Sequence, residues 1–133
     1  MKFIVDKSYW NLFPDSKLGV LLLKNIQNGE STDEIKSILK EANNEAKKYL
    51  TKEILSENPV IAVWREAYKK FKTKKGVRSS IEALLKRVNS GNPVSSINKF
   101  VDIYNSASLK YGLPCGAEDL DSFVGDLKLT ITQ

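Results

Sequence analysis

The sequence contains no histidine and a single cysteine, Cys115. Without histidine, Ser-His-Asp and Cys-His catalytic arrangements are impossible within one copy of the chain. A zinc site is nearly excluded as well, because one cysteine and no histidine leave only oxygen ligands. A single cysteine cannot form an internal disulfide, which is typical of proteins from a reducing compartment, and we expect a cytoplasmic protein.

Long apolar runs and phosphate-binding loops are also missing. The longest apolar run, 18–23, is far shorter than the ~20 residues of a membrane span, and the first ten residues lack a signal-peptide pattern. The glycines are isolated, so neither GxGxxG nor GxxxxGK occurs. We therefore expect no membrane association and no cofactor.

The composition that is present is that of a globular domain. The chain has 133 residues, of which 41% are hydrophobic and 28% charged, enough to bury one core. We expect one domain covering residues 1–133. The formal net charge of +5 permits an anionic partner without requiring one.

Apolar periodicity predicts two strands, then four helices, then a final strand. The strands are expected at 3–5, 18–23 and 127–131, and the helices at 35–54, 60–71, 81–88 and 97–111. Strands separated by several helices cannot pair as simple hairpins, so we expect an α+β fold with about four helices on a small mixed sheet. The last strand lacks a partner nearby in sequence, which indicates that the fold needs more chain.

Local signals mark the ends of these helices. Ser31 to Glu34 and Ser79 to Glu82 both have the capping-box pattern, in which serine accepts a helix N–H and glutamate reaches back to the cap. Ser95 or Ser96 is expected to cap the fourth helix, and Gly112 to close it in a left-handed conformation.

The segment 68–78 is the strongest electrostatic feature. It combines two aromatic residues with six cations, and two further cations extend it on the next helix. The eight candidate RNA-binding residues are Lys69, Lys70, Lys72, Lys74, Lys75, Arg78, Lys86 and Arg87. Such a patch can neutralise phosphates. The alternative is a solvated helix end whose lysines suit the helix dipole.

A stiff turn at 112–116 precedes an acidic run. Glu118, Asp119 and Asp121 could hold a hard cation, but the calcium-loop spacing is absent, and we expect no metal. Their alternative role is to cap backbone N–H groups. Cys115 lies in the turn without a nearby base, so we interpret it as a small buried side chain.

The segments SINKFVDIYN, at 96–105, and LKYGLP, at 109–114, carry a resemblance. The chain from Trp10 to Thr130 resembles the B3/4 domain of the bacterial phenylalanyl-tRNA synthetase β subunit, and it is still more similar to freestanding proteins made of this domain alone. The resemblance implies a partner that is tRNA or aminoacyl-tRNA. In the synthetase the domain hydrolyses tyrosine wrongly attached to phenylalanine tRNA.

The resemblance also implies a small pocket whose floor is the 112–116 turn. Its candidate lining residues are Asn98, Asp102, Asn105, Pro114, Cys115 and Gly116. Asn98, Asp102 and Asn105 are spaced by four and three, so they share a helix face. Their alternative role is local capping and hydrogen bonding between helix and turn.

Two departures from the family bear on activity. Gly116 stands where the synthetase has a histidine, so the remaining candidates for a general base are Glu118 and Asp119. The family domain also continues beyond 127–131, so this chain corresponds to its N-terminal portion, and a second copy in a homo-oligomer could cover the last strand. Three functions stay open: an aminoacyl-tRNA deacylase, a non-catalytic module that binds tRNA or an amino acid, and a general RNA-binding or protein-contact domain.

Overall fold

The computed structural model describes residues 1–132, and within this range the chain forms five α-helices and two β-strands. Their bounds are β1 (Phe3–Val5), α1 (Lys7–Leu12), α2 (Asp33–Glu45), α3 (Pro59–Tyr68), α4 (Ser80–Asn89), α5 (Lys99–Tyr111) and β2 (Leu127–Leu129). The predicted α+β class is confirmed, and the four longer helices lie where the periodicity predicted them. Within residues 1–132, none of the helices has the length and the apolar composition that a membrane span requires.

The first helix, α1, was not predicted, although a local signal marks its start. Asp6 is the N-cap, and its carboxylate accepts hydrogen bonds from the Ser8 N–H (3.0 Å) and the Ser8 hydroxyl (2.6 Å). These two bonds, with a smaller contribution from Lys128, lower the pKa of Asp6 to about 2. Aspartate is among the residues preferred at a helix N-cap, so Asp6 was a usable signal for the start of α1.

The two strands pair with each other in parallel, with Phe3 opposite Leu127 and Val5 opposite Leu129. Backbone bonds at both ends extend the pairing, from Leu127 N–H to the Lys2 carbonyl (2.9 Å) and from Asp6 N–H to the Leu129 carbonyl (2.8 Å). The last strand has no partner nearby in sequence, as predicted, and the distant first strand pairs with it instead. The sheet among residues 1–132 is parallel rather than mixed.

The strand predicted at 18–23 is also wrong. The structure has no regular secondary structure from residue 16 to residue 32, apart from single bends. Leu21 and Leu22 are 81% and 60% exposed. A strand requires a hydrogen-bonded neighbour, and no neighbouring strand lies beside this segment within the described residues.

The hydrophobic core lies among α2, α3, α4 and α5. Ile61, Ile81, Leu85 and Leu109 are fully buried, and they come from α3, α4 and α5. Helix α2 contributes Leu39 and Ala42. Most of the predicted apolar stripes thus face this core, but Ile38, Ile54 and Val63 do not, since each is about half exposed.

Two buried asparagines fix the connecting segments. Asn43 of α2 donates to the Val94 carbonyl (3.0 Å) and accepts from the Val94 N–H (2.8 Å), which holds the segment before α5 against α2. Asn58 accepts from the backbone N–H groups of Thr51 and Lys52, each at 2.9 Å. Buried amides satisfied in this way order a loop without extending a helix through it.

Most helix ends differ from the predictions by at most three residues, but α2 ends nine residues before its predicted end at residue 54. Thr32 rather than Ser31 caps α2, and Asn98 rather than Ser95 or Ser96 caps α5. Helix α2 ends at Glu45 and continues only as a 3-10 turn at Ala46–Tyr49. Ser79 caps α4 as predicted, and Gly112 closes α5 in the left-handed region, with φ of 66°.

Candidate functional site

The turn after α5 is fixed from both sides. The Gly112 N–H donates to the Ser108 carbonyl (2.8 Å), and the Ser108 hydroxyl donates to the Leu113 carbonyl. Tyr49, at the end of the 3-10 turn after α2, donates its hydroxyl to the Lys110 carbonyl (2.7 Å). A Cβ at Gly112 would lie 2.9 Å from Cζ of Tyr49, so the ring lies directly against the turn.

The residues that follow Gly112 are more accessible than the sequence indicated. Pro114 and Cys115 are half-buried, and Gly116 is exposed. Burial raises the pKa of the Cys115 thiol, which disfavours the reactive thiolate. Cys115 therefore behaves as a partly covered, weakly reactive side chain rather than a fully buried one.

Asp102 is fully buried in α5, and three donors of the chain bond to its carboxylate. Its carboxylate receives the Ser31 hydroxyl, the Ser96 hydroxyl (2.5 Å) and the Ile97 N–H (2.8 Å). Burial raises the pKa of this carboxyl, but these hydrogen bonds and the charge of Lys36 outweigh burial, so the net shift is downward. Asp102 thus holds the segments before α2 and before α5 together.

The other two polar residues predicted on this helix face have different surroundings. Asn98 accepts from the Val101 N–H (3.0 Å) as the N-cap of α5, and Asn105 is half-buried. Asn98 and Asp102 thus form the local hydrogen bonds that were predicted as the alternative to lining a pocket.

Two clefts stand out in the described protein, and none of the predicted pocket residues lines either one.

In the acidic run after the turn, the carboxylate of Asp119 accepts hydrogen bonds from neighbouring residues of the same run. Asp119 accepts from the Asp121 N–H (3.0 Å) and the Ser122 hydroxyl (3.2 Å), so it caps the 3-10 turn at Leu120–Ser122. Glu118 is exposed and forms no hydrogen bond within residues 1–132. No group of three His, Cys, Asp or Glu residues in the described chain could hold a metal ion.

The basic segment is a loop rather than the end of a helix. Helix α3 ends at Tyr68, three residues earlier than predicted, and residues 72–74 have no regular structure. Lys69 pairs with Glu66 (2.7 Å), and Lys70 lies 5.4 Å from the centre of the Phe13 ring. Six of the eight candidate cations are exposed and form no salt bridge among the described residues: Lys70, Lys72, Lys74, Lys75, Lys86 and Arg87.

One buried carboxylate anchors both ends of this loop. Glu82 of α4 receives two bonds from Arg65 of α3, at 2.9 and 2.8 Å, and lies 3.2 Å from Nε of Arg78. The hydrogen bond to Glu82 raises the pKa of Arg65. The predicted reach of Glu82 back to its helix cap is therefore wrong, because two arginines compete successfully for the carboxylate.

Aromatic rings connect the basic loop to α1. Ring centres are 5.4 Å apart for Tyr9 and Phe13, 6.1 Å for Phe13 and Phe71, and 5.8 Å for Phe71 and Tyr68. Beside this ladder lies a cleft of about 540 Å³ between α1, the loop and the residues after β2. Its lining includes Ser8, Asn11, Lys70, Phe71, Lys72 and Ile131.

Comparison with known families gives a match to the second half of the chain. A family model described as the B3/4 domain matches residues 63–133, which is just over half of the chain. The chain belongs to the B3/4 domain family. No curated protein and no solved structure matches it.

The matched range shows which features belong to the B3/4 domain. It contains the basic loop, α4, α5 and the 112–116 turn, together with Arg65 and Glu82. Residues 1–62, which supply α1, α2 and Tyr49, lie outside it. The resemblance to the synthetase domain is thus confirmed at the level of the family, and the extension of the domain to residues 1–133 stays a prediction.

The long-range contacts of several residues that shape the site were not found from the sequence. The ring of Tyr49 contacts Gly112, which lies 63 positions later in the chain. Glu82 accepts a hydrogen bond from Arg65, which lies 17 positions earlier. No local pattern reports such contacts. The aromatic residues of α1 gave a usable signal, because Tyr9, Trp10 and Phe13 fall on helical spacing after a capping aspartate.

Proposed function

We propose that this B3/4 domain binds tRNA, with the basic loop as the principal contact. The observation that carries the proposal is a group of exposed lysines, Lys72, Lys74 and Lys75, that pair with no carboxylate among residues 1–132 and lie directly after Phe71. Lysines in such a position can each neutralise a phosphate and release counterions. The family of the chain supports tRNA as the nucleic acid.

The position of the lysines argues against the alternative of a solvated helix end. The helix dipole acts within the last turn of a helix. Only Lys69 and Lys70 follow Tyr68 closely enough to benefit from it, and Lys69 is already paired with Glu66. Lys72, Lys74 and Lys75 therefore lie where the dipole gives no reason for a cation.

The cleft beside the loop adds a surface for single-stranded nucleotides. Phe71 and Asn11 line it together with Lys70 and Lys72. Proteins hold unpaired bases by stacking them on aromatic rings and by contacting their polar edges, while cations hold the phosphates. The unpaired end of a tRNA has all of these groups.

The 112–116 turn is our proposed contact for the aminoacyl group. Gly112 and Tyr49 fix the turn, while Pro114, Cys115 and Gly116 leave part of its surface accessible. Asn105 is proposed to line the pocket from α5. Asn98 and Asp102 take part by holding the start of that helix in place.

Hydrolysis of the aminoacyl ester is a second candidate activity, and the exposed carboxylate of Glu118 favours it. Glu118 forms no hydrogen bond among the described residues, so it is available to take a proton from an attacking water. The ester bond would break to give a free amino acid and the ribose hydroxyl of the tRNA. Asp119 is less suited to this role, because one of its oxygens already accepts from the Asp121 N–H and the other from the Ser122 hydroxyl. We place this activity in the cytoplasm, where tRNA is charged.

The test is a titration of the protein with aminoacylated and uncharged tRNA in parallel, at low and moderate salt, while the ester is followed in the same samples. The proposal expects binding that weakens steeply with salt and favours the charged form. Salt-insensitive binding, or none, would remove it. The control for hydrolysis is Glu53→Gln, at a second exposed glutamate. If the ester is lost more slowly in Glu118→Gln but not in Glu53→Gln, Glu118 is the hydrolytic residue.

A further inference from the structure

Two arginines share one buried carboxylate where the two ends of the basic loop meet. Glu82 is 4% exposed, and its oxygen Oε2 lies 2.8 Å from Nη2 of Arg65 and 3.2 Å from Nε of Arg78. A second bond, from Nε of Arg65 to Oε1 (2.9 Å), makes the contact with that arginine bidentate. The two guanidinium groups are therefore held side by side by a single side chain of α4.

This cluster carries an excess of positive charge. Two guanidinium groups contribute two positive charges, and Glu82 contributes one negative charge. No other carboxylate forms a salt bridge with either arginine among residues 1–132. Because like charges held side by side repel each other, an anion from outside the chain gains energy by binding next to them.

Both arginines also keep N–H donors that the described chain does not use. Arg65 bonds to Glu82 through Nε and Nη2, which leaves Nη1 without an acceptor. Arg78 uses Nη1 for the Val77 carbonyl (2.8 Å) and Nε for Glu82, which leaves Nη2. The two side chains are 37% and 45% exposed, so a ligand can reach them. Planar guanidinium donors in fixed positions match the oxygens of a phosphate group better than mobile lysines do.

We propose that Arg65 and Arg78 together bind one phosphate group of the tRNA backbone, and that Glu82 is the residue that positions them. The inference rests on the proposed tRNA binding and adds to it a contact at the base of the basic loop. The lysines of the loop attract phosphates without fixing their position, whereas the arginines fix where one phosphate lies. Glu82 thus strengthens the binding of an anion although it is itself negative.

The negative charge of Glu82 makes the sign of its effect on affinity a test. If the carboxylate only neutralised nearby cations, Glu82→Gln would strengthen tRNA binding, because the surface would gain a positive charge. The proposal expects binding that is roughly 2- to 10-fold weaker, because an amide does not hold two guanidinium groups in place. The matched control, Glu66→Gln, makes the same change at an exposed glutamate and should bind tRNA at least as tightly as the natural sequence.

Because Glu82→Gln is also expected to destabilise the fold, two variants that conserve charge complete the experiment. Arg65→Lys and Arg78→Lys keep the cation but lose the planar donors, and each should bind tRNA roughly 2- to 10-fold more weakly. Arg87→Lys makes the same exchange at an exposed arginine that shares no carboxylate, and its loss should be smaller. The affinity for tRNA is measured at low salt, with circular dichroism to confirm that each variant is folded.

Inorganic phosphate alone distinguishes this site from the proposed tRNA function. In thermal unfolding, millimolar phosphate should raise the midpoint of the natural sequence above its value in chloride of equal ionic strength, and raise that of Arg65→Lys less. Losses in Arg65→Lys and Arg78→Lys no larger than that in Arg87→Lys, or tighter binding by Glu82→Gln, would overturn the proposal while leaving tRNA binding by the lysines intact. If the natural sequence binds no tRNA, the proposed function fails as well, and a midpoint that still responds to phosphate through Arg65 would assign the cluster to free phosphate instead.

Discussion

The ring of Tyr49 lies against Gly112 so closely that a Cβ at the glycine would stand 2.9 Å from Cζ of the ring. The same tyrosine donates its hydroxyl to the Lys110 carbonyl at 2.7 Å. Tyr49, in the 3-10 turn after α2, therefore fixes the C-terminus of α5 and Gly112, the first residue of the proposed aminoacyl pocket. Glycine suits this position for two reasons: it adopts a left-handed backbone conformation without strain, and its missing side chain leaves space for the ring of Tyr49.

Gly112→Ala should lower the free energy of unfolding by roughly 2–5 kcal/mol, because a left-handed L-residue costs about 1–2 kcal/mol and overpacking adds about 1–3. Two other glycines separate these causes. Gly76 has φ of +85° but open space around it, and Gly116 has open space without a positive φ.

In urea unfolding, Gly76→Ala should therefore cost about 1–2 kcal/mol and Gly116→Ala less than about 0.5. If Gly112→Ala cost no more than Gly76→Ala, the contact with Tyr49 would not contribute to the stability of the turn.

Asp102→Asn should destabilise the fold by about 2–3 kcal/mol, because it removes a buried charged acceptor from three donors. Asp121→Asn is the matched control, since Asp121 is exposed and its side chain forms no hydrogen bond in the described protein. The measurement is urea unfolding at neutral pH. Equal stability of the two variants would mean that the hydrogen bonds to Asp102 do not hold the two segments together.

The stability of the protein at low pH should also depend on the Asp102 carboxylate. The pKa of Asp102 is lowered in the folded protein, so the unfolded chain binds a proton that the folded chain resists. Its contribution is fully present above the pKa of an unfolded aspartate, about 3.9, and is lost as the pH falls below it. Asp6, with a folded pKa of about 2, should behave likewise. Unfolding between pH 5 and 2 should show a smaller acid loss in Asp102→Asn; a loss as large as that of the natural sequence would contradict this.

Glu82→Gln should cost roughly 2–3 kcal/mol, because it leaves Arg65 and Arg78 without the buried carboxylate that joins them. Glu66→Gln removes a glutamate that pairs with Lys69 on the surface, where its side chain is 70% exposed. That control should change stability by less than about 0.5 kcal/mol. Thermal unfolding of the two variants side by side gives the comparison, and equal midpoints would mean that the Glu82 contacts add nothing to the fold.

Local sequence signals predicted the helical half of the fold well. The apolar stripes of α2, α4 and α5 and the caps at Ser79 and Gly112 depend on neighbours within a few residues, and the structure has them. The end of α2 was less predictable, because the buried amide of Asn58 holds the backbone of Thr51 and Lys52 outside the helix.

Non-local contacts could not be predicted in the same way. The run at 18–23 has the composition of a strand, but whether it becomes one depends on a partner that its own residues do not specify. The pairing of β1 with β2 joins residues more than 120 positions apart. For the site, the exposed lysines were visible in the sequence, whereas the hydrogen bonds that engage Asp102 and Glu82 internally were not.

The role of the basic loop in binding tRNA is tested by the tRNA affinity of two triple variants at several salt concentrations. Lys72, Lys74 and Lys75 changed to glutamate should bind at least about tenfold more weakly, with a salt slope shallower by about 2–3. Lys40, Lys47 and Lys52 changed to glutamate alter the net charge equally, at exposed lysines outside the basic loop, and should bind nearly as well as the natural sequence. An equal loss in both variants, or a loss in neither, would contradict the assignment of the basic loop as the tRNA contact.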